Sequence, residues 1–375
     1  MPTFLKRILG IVVAVLVLIG ANAMMSREGL FGFGIPYYYA EILSLTGISV
    51  ILAVSLNLIT GFTGQFSIGH AGFMAVGAYS SVFLSVYYSQ ALEQALTAVV
   101  GPAVAQAIVF LFVVVFGALV AAAAGLLVGI PSLRLRGDYL AIVTLGFAEI
   151  IRIIILNIDR VGGATGFRGA VAPWEGRPII PLWGNFIWIG GFAIITIVVV
   201  YNIVHSDVGR ALISIREDEL AAEAMGINTT RYKVLAFVIS SAFAGIAGAL
   251  FGHFRQFLHT NDFQFIRSIE IIIMIVLGGM GSIIGSVLGA IVITILPELL
   301  RKLPGDLYSY RLVIYSALLI VIMLTRPQGV MGSKEFGIPW LKRSQKRPEG
   351  DKPAGEKGVP IAQQNSSPAL DESKR

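Results

Sequence analysis

Three polar side chains, Gln65, Ser67 and His70, lie in a glycine-rich block at residues 61–72 within an otherwise apolar region. Their amide, hydroxyl and imidazole groups form hydrogen bonds, so the chemistry they offer is binding. At membrane depth, such a polar break is tolerated only where protein or a water-filled cavity covers it. Broken helices of this kind often mark binding sites. Two interpretations stay open: a solute path lined by these side chains, or a tight cytoplasmic turn in which glycine allows close approach.

A second pair of candidate residues is Glu149 and Arg152, which are charged and lie in an apolar run. Residues three apart are neighbours on a helix face, so these two can form an ion pair. Charges in a membrane helix are costly unless they are paired or wetted. The pair is therefore either structural or part of a solute path.

Several kinds of chemistry are not expected. The chain has no cysteine, which excludes disulfides, thiolate metal sites and a cysteine nucleophile. His253 and His259 are not spaced to share a helical face and have no evident third ligand, so no metal site is expected. The block at 161–169 lacks the lysine of a phosphate-binding P-loop. With no His cluster, carboxylate dyad or serine-nucleophile motif, the sequence predicts neither an enzyme nor a bound cofactor.

The composition is that of a membrane protein. Hydrophobic residues make up 56% of the 375 residues and charged residues 13%, and the mean hydropathy is +0.80. Apolar runs near the bilayer-spanning length of ~20 residues recur along the chain. Because lipid offers no partner to backbone polar groups, we predict an all-α polytopic transmembrane helical bundle with broken helices. The net charge of +6 comes from basic residues that lie mostly at the ends of spans and in the tail, as the positive-inside rule expects. We therefore expect no nucleic acid as a partner.

About ten spans are predicted, with both termini cytoplasmic. The first apolar run, 8–20, is followed by Ala21-Asn22-Ala23 and is either a cleaved signal peptide or a retained span, and we favour retention. A polar connection is predicted at 89–103, and small residues four apart predict close helix packing. These residues are Gly117, Ala121, Gly125 and Gly129, and later Gly281, Gly285 and Gly289. The predicted domains are a transmembrane domain at 1–332 and a disordered cytoplasmic tail at 333–375.

The charged stretch, residues 205–231, separates two apolar segments and is placed on the cytoplasmic side. Its composition favours a helix that stops at Gly226, with Asn228 capping the next helix. Four apolar residues fall roughly on one face: Leu212, Ile215, Ala222 and Met225. The stretch is either a docking element for something outside the membrane or a solvated loop.

Four motifs in collinear order over residues ~50–330 carry a family resemblance: residues 56–73, 133–150, 209–226 and 276–282. They resemble the signatures of branched-chain amino acid ABC transporter permeases, and most of all the LivM-type subunits. The resemblance implies an inner-membrane importer in which a periplasmic binding protein delivers leucine, isoleucine or valine. A second, LivH-like permease completes the path in the lipid bilayer, and two cytoplasmic ATPases bind ATP.

The resemblance also implies that the charged stretch is the coupling helix, which docks on an ATPase. The importer pattern is Glu-Ala-Ala, three residues and then Gly. Aligned on Gly226, this chain has Leu220-Ala221-Ala222, and Glu219 stands one residue early. The implied ATPase-coupling set is Arg216, Glu219, Ala221, Ala222, Glu223 and Gly226, and the implied path set is Gln65, Ser67, His70, Glu149 and Arg152.

Two rival functions remain open at this stage. Urea-type permeases share the architecture, and the membrane sequence does not fix the solute. A stand-alone channel or secondary transporter would work without ATPase subunits, and would be expected to carry more paired intramembrane charges than Glu149 and Arg152.

Overall fold

The computed structural model describes residues 36–300 except Arg134, Arg136, 169–179 and Leu182, together with Gly20 and some positions between 310 and 329. Within these residues the regular elements are helices, and one isolated antiparallel bridge joins Phe167 to Leu258. The helices are α1 (Tyr37–Asn57), α2 (His70–Val100), α3 (Pro102–Ser132), α4 (Asp138–Leu156), α5 (Phe186–Val204), α6 (Asp207–Glu217), α7 (Glu219–Ala224), α8 (Thr229–Arg255), α9 (Phe265–Gly278) and α10 (Ile283–Leu300).

Seven of the described helices are long and apolar enough to cross a membrane: α1 to α5, α8 and α10. With 14 residues, α9 is ~21 Å long and is too short for a hydrocarbon core of ~30 Å. The predicted all-α transmembrane bundle is confirmed. Of the ten predicted spans, the first lies outside the described residues and the last, at 312–324, lies mostly outside them. The tail at 333–375 is also outside the described residues.

Small residues let α2, α3 and α8 pack closely at the centre of the bundle. A Cβ on Gly77 of α2 would lie 2.2 Å from the Cα of Gly245 on α8. A Cβ on Gly125 of α3 would lie 2.4 Å from the hydroxyl of Ser241. The predicted packing role of the small-residue face on α3 is therefore confirmed. In lipid, no hydrophobic driving force brings helices together, so close packing of their backbones stabilises the association instead.

A hairpin of α9 and α10 packs against α1. Its two helices are joined by the glycine turn, residues 279–282, and a Cβ on Gly289 would lie 1.9 Å from the carbonyl oxygen of Met274. The prediction of two closely packed helices around this turn is confirmed.

The predicted polar connection at 89–103 was wrong. Helix α2 continues to Val100, and only Gly101, at φ +82°, separates it from Pro102 at the start of α3. The polar residues of this segment include Gln and Glu, which are good helix formers, so local propensity sustains the helix. Proline in the first turn of α3 costs no hydrogen bond.

Candidate functional site

The predicted break in the first described span is confirmed, and most of its residues are buried, whereas Gly64 and Phe66 are exposed. After α1 the chain forms a π-helical turn, Leu58–Phe62, and leaves helical geometry until His70. We call residues 58–69 the break. The backbone N–H of Ile68 donates to Thr144 Oγ1 of α4 at 3.1 Å. Side chains of other helices therefore supply partners that a broken helix lacks, as burial in a membrane requires.

His70 is enclosed at the start of α2. Its Nε2 lies 3.0 Å from the hydroxyl of Ser55 on α1, and the hydroxyl of Ser240 on α8 donates to the Ser55 carbonyl at 2.6 Å. The next residue, Ala71, donates its N–H to Ser268 Oγ of α9 at 3.2 Å. His70 thus helps to fix the start of α2 within a cluster from four helices. Its role in a solute path stays a prediction.

Gln65 and Ser67 are both buried in the break. The side-chain oxygen of Gln65 accepts no hydrogen bond from any described residue, although buried polar atoms are normally satisfied. Gln65 lines a polar cavity of ≈ 250 Å³ together with Arg216 and Lys233. Among the predicted path residues, Gln65 therefore has an oxygen that can still accept a hydrogen bond.

The predicted ion pair on α4 is confirmed. Arg152 Nε donates to Glu149 Oε2 at 2.7 Å, and both side chains are partly exposed. Among the hydrogen bonds and ion pairs of the described residues, none joins this pair to Gln65, Ser67 or His70. The structure therefore does not bring the two groups of predicted path residues into one polar cluster.

The charged stretch contains two helices, whereas one was predicted. Asp218 interrupts it in extended geometry (φ −158°, ψ 112°). Its Oδ1 accepts the backbone N–H groups of Leu220 and Ala221 at 2.9 and 3.0 Å and so caps α7. Asp is a strong N-cap residue because its side chain satisfies donors that the first helical turn leaves free. The signal for this interruption in the sequence is local, because Asp218 directly precedes a run of good helix formers.

Of the four apolar residues predicted to share one face of the stretch, three are buried and one is exposed. Leu212, Ile215 and Ala222 are buried. Met225 is 82% exposed, because it lies beyond the end of α7 where the chain turns through Gly226 at φ +83°. The predicted stop at Gly226 is confirmed. The cap at Asn228 is also confirmed, since its side chain accepts the Arg231 N–H at 3.0 Å.

Arg216 connects the charged stretch to the break. Its Nη1 donates to the carbonyl oxygen of Gly61 at 3.0 Å, and its Nη2 pairs with Glu217 at 2.6 Å. A Cβ on Gly64 would lie 2.9 Å from Arg216 Cγ, and one on Gly281 would lie 3.0 Å from its Nη1. The guanidinium group is thus seated where the break, the glycine turn and α6 meet.

Asn57 joins the break to the glycine turn, and sequence reasoning missed it. It is fully buried at the end of α1. Its side-chain nitrogen donates to the Ser282 carbonyl, and its oxygen accepts the Gly281 N–H, each at 3.0 Å. Both side-chain groups are therefore used. The signal available in the sequence was a single amide inside an apolar span, where polar residues are costly.

Two further contacts tie α7 to the start of α8. Glu219 pairs with Lys233 at 2.6 Å, and the Lys233 side chain is almost fully buried. Glu223 accepts the hydroxyl of Thr229 at 2.7 Å. Both carboxylates belong to the predicted ATPase-coupling set, and both also hold the stretch against its own membrane helix. Their role in ATPase coupling stays a prediction.

Comparison with known proteins decides the family. A family model described as "Branched-chain amino acid transport system / permease component" matches residues 38–323. The chain belongs to this permease family. The high-affinity branched-chain amino acid transport system permease protein LivM of Escherichia coli (strain K12) is 34% identical over 321 residues, which are 78% of this chain and 69% of the relative.

Other permeases show the same relationship. LivM of Salmonella typhimurium is 33% identical with the same coverage of both chains. LivH of Escherichia coli (strain K12) is 34% identical over 149 residues, 40% of this chain and 47% of the relative. These relatives are transporter permease subunits rather than enzymes. The chain is accordingly a multi-pass membrane permease component, which its seven membrane-length helices among the described residues also support.

Proposed function

We propose that this permease carries leucine, isoleucine and valine across a bacterial inner membrane as one subunit of an ATP-driven importer. A periplasmic binding protein would deliver the amino acid, a LivH-like permease would complete the path, and two cytoplasmic ATPases would bind and hydrolyse ATP. The similarity to LivM proteins over 78% of the chain carries the substrate assignment. Similarity to both LivM and LivH supports a second permease subunit of the same family.

The exposed residues of α7 and of the turn that follows it support docking on an ATPase. Leu220 is 63% exposed and Met225 is 82% exposed, although the surrounding stretch is highly charged. Exposed apolar side chains rimmed by polar residues mark interaction sites. The predicted contact residues Ala221, Glu223 and Gly226 are also exposed on this short segment.

The contact from Arg216 to Gly61 supports a route from the ATPase to the path. ATP binding would draw the two ATPases together and move the charged stretch. Arg216 would transmit this movement to the break, and Asn57 would pass it to the glycine turn. Arg216 therefore faces inward and acts as a connecting residue, whereas the exposed part of α7 meets the ATPase. Coupling in this scheme requires that ATP and the amino acid each favour one of two states of the bundle.

Uptake by proteoliposomes tests the proposal. The permease is reconstituted with its LivH-like partner and the ATPases, with ATP enclosed and the binding protein outside. Radiolabelled leucine and urea are compared, and a sample without ATP is the control. We expect leucine uptake that needs both ATP and the binding protein.

Each other outcome contradicts a different part of the proposal. Urea uptake without leucine uptake would overturn the substrate and keep the mechanism. Uptake by this chain alone, without ATP or ATPases, would mean that it is a channel or secondary transporter.

A further inference from the structure

A second polar cavity lies at the end of the bundle opposite to the charged stretch. Its volume is ≈ 530 Å³, and it lies among α1, α8, α9 and α10. Glu41 at the start of α1 pairs with Arg255 at the end of α8 beside it, at 2.7 Å. Arg216 contacts Gly61 in the break, which follows the other end of α1 and lies about 30 Å from Glu41 by the helical rise. We call this space the mixed-charge cavity.

The lining of the mixed-charge cavity carries both signs of charge: two arginines, Arg255 and Arg267, and three carboxylates, Asp262, Glu270 and Glu298. Arg267 and Glu270 lie one turn apart on α9, with Arg267 Nη1 2.8 Å from Glu270 Oε2. Both side chains are only partly exposed, so they are less screened than surface charges. Arg267 uses one of its five N–H donors in this bond, and an Arg side chain can bind a carboxylate with two.

An apolar side completes the mixed-charge cavity. Leu45, Met274 and Ile293 line it, and the last two are buried. Ligand sites commonly combine such an apolar wall with a few converging polar groups in ~300–1,000 Å³. The arrangement therefore offers positive groups, negative groups and an aliphatic surface within one space.

The start of α9 adds to the positive side of the site. Gln264, Ile266 and Arg267 line the mixed-charge cavity at this end, and no side chain of the described residues caps α9 there. Asp262 also lines this end, and its carboxylate accepts the backbone N–H of His259. Helix α9 is only ~21 Å long, and the glycine turn ties its C-terminal end to Asn57. The N-terminus of α9 therefore lies within the bundle. N-termini of such partial helices attract anionic groups of a solute.

We propose that the mixed-charge cavity binds an aliphatic α-amino acid as its zwitterion before the amino acid enters the path. Arg267 and the N-terminus of α9 hold the carboxylate, Glu270 holds the ammonium group, and Met274 and Ile293 contact the aliphatic side chain. The inference rests on the proposed function, because that function places the charged stretch inside the cell and this cavity outside. It assigns residues to a site that selects for both charged groups of the amino acid.

Binding of radiolabelled leucine to the purified permease–ATPase complex in nanodiscs, without the binding protein, tests the proposal. We expect saturable binding that isoleucine and valine displace. 3-Methylbutylamine, which lacks the carboxylate, and 4-methylpentanoate, which lacks the amine, should compete poorly. Arg267→Gln and Glu270→Gln should each weaken leucine binding roughly tenfold or more, the effect of one charge-assisted hydrogen bond.

Matched control variants are Arg160→Gln and Glu93→Gln, which remove the same charges at positions that do not line the mixed-charge cavity. Both should bind leucine as the wild type does. Basal ATP hydrolysis and subunit assembly report whether a variant has folded, and Arg267→Lys, which keeps the charge, should retain part of the binding.

Three results would overturn the inference: no saturable binding up to millimolar leucine, equal competition by the two analogues, or unchanged affinity in folded Arg267→Gln and Glu270→Gln complexes. Leucine uptake in the proteoliposome assay would then still stand, so this failure is distinct from failure of the proposed function.

Discussion

Replacing Asn57 with alanine should destabilise the permease by removing the link between the break and the glycine turn. The side chain is fully buried, and both of its partners are backbone groups, the Ser282 carbonyl and the Gly281 N–H. A buried polar group left without its partner costs about 1–3 kcal/mol, so losing both bonds should cost about 2–6 kcal/mol. With an unfolding entropy of ~2.1 cal/mol/K per residue, this predicts a fall in Tm of about 3–8 °C for a chain of this length.

The Tm of the purified complex in detergent measures this effect. Samples are heated to a series of temperatures, and the fraction that stays folded is determined by size-exclusion chromatography. Thr46→Ala is the control, because Thr46 lies on the same helix and its hydroxyl donates only to the Ile42 carbonyl one turn earlier. That carbonyl belongs to the helix and keeps its backbone partner, so the control should melt near the wild-type temperature. If Asn57→Ala melts no lower than Thr46→Ala, the reasoning that these two hydrogen bonds stabilise the junction is wrong.

Three further predictions follow from the same contacts. Gly248→Ala should lower the melting temperature because its Cβ would lie 2.0 Å from a carbonyl oxygen of α2, whereas Gly191→Ala, with nothing within 4 Å, should not. Arg216→Gln should reduce leucine transported per ATP hydrolysed by roughly fivefold, since a partly exposed charge-assisted bond contributes about 1 kcal/mol; an unchanged ratio would contradict this. Gly226→Pro should abolish uptake, because φ is +83° there and proline is fixed near −65°, whereas Gly226→Asn should retain it; wild-type uptake in the proline variant would refute the coupling role.

Local patterns in the sequence were enough to predict the helices and their interruptions. Long apolar runs give membrane helices because the backbone must satisfy itself in lipid. The glycine-rich break, the stop at Gly226 and the cap at Asn228 were predicted because each depends on a few adjacent residues. The small residues of α3 were predicted to pack because their four-residue spacing places them on one face.

Short-range rules also explain two of the errors. The segment 89–103 was read as a connection because it is polar, yet helix propensity continues through it. Met225 was placed on one face with Leu212, Ile215 and Ala222 by helical periodicity, but α7 ends one residue earlier and the periodicity no longer applies.

How the break, the glycine turn and the charged stretch meet depends on the packing of the helices. Asn57 binds Gly281 across 224 positions of the chain, and Arg216 binds Gly61 across 155. In both contacts the partner is a backbone group, which every residue has, so no complementary side chain marks it in the sequence. The mixed-charge cavity likewise arises because α9 is short and is packed beside the ends of three other helices. The sequence determined which side chains are available for function, and the packing of the helices determined which of them meet.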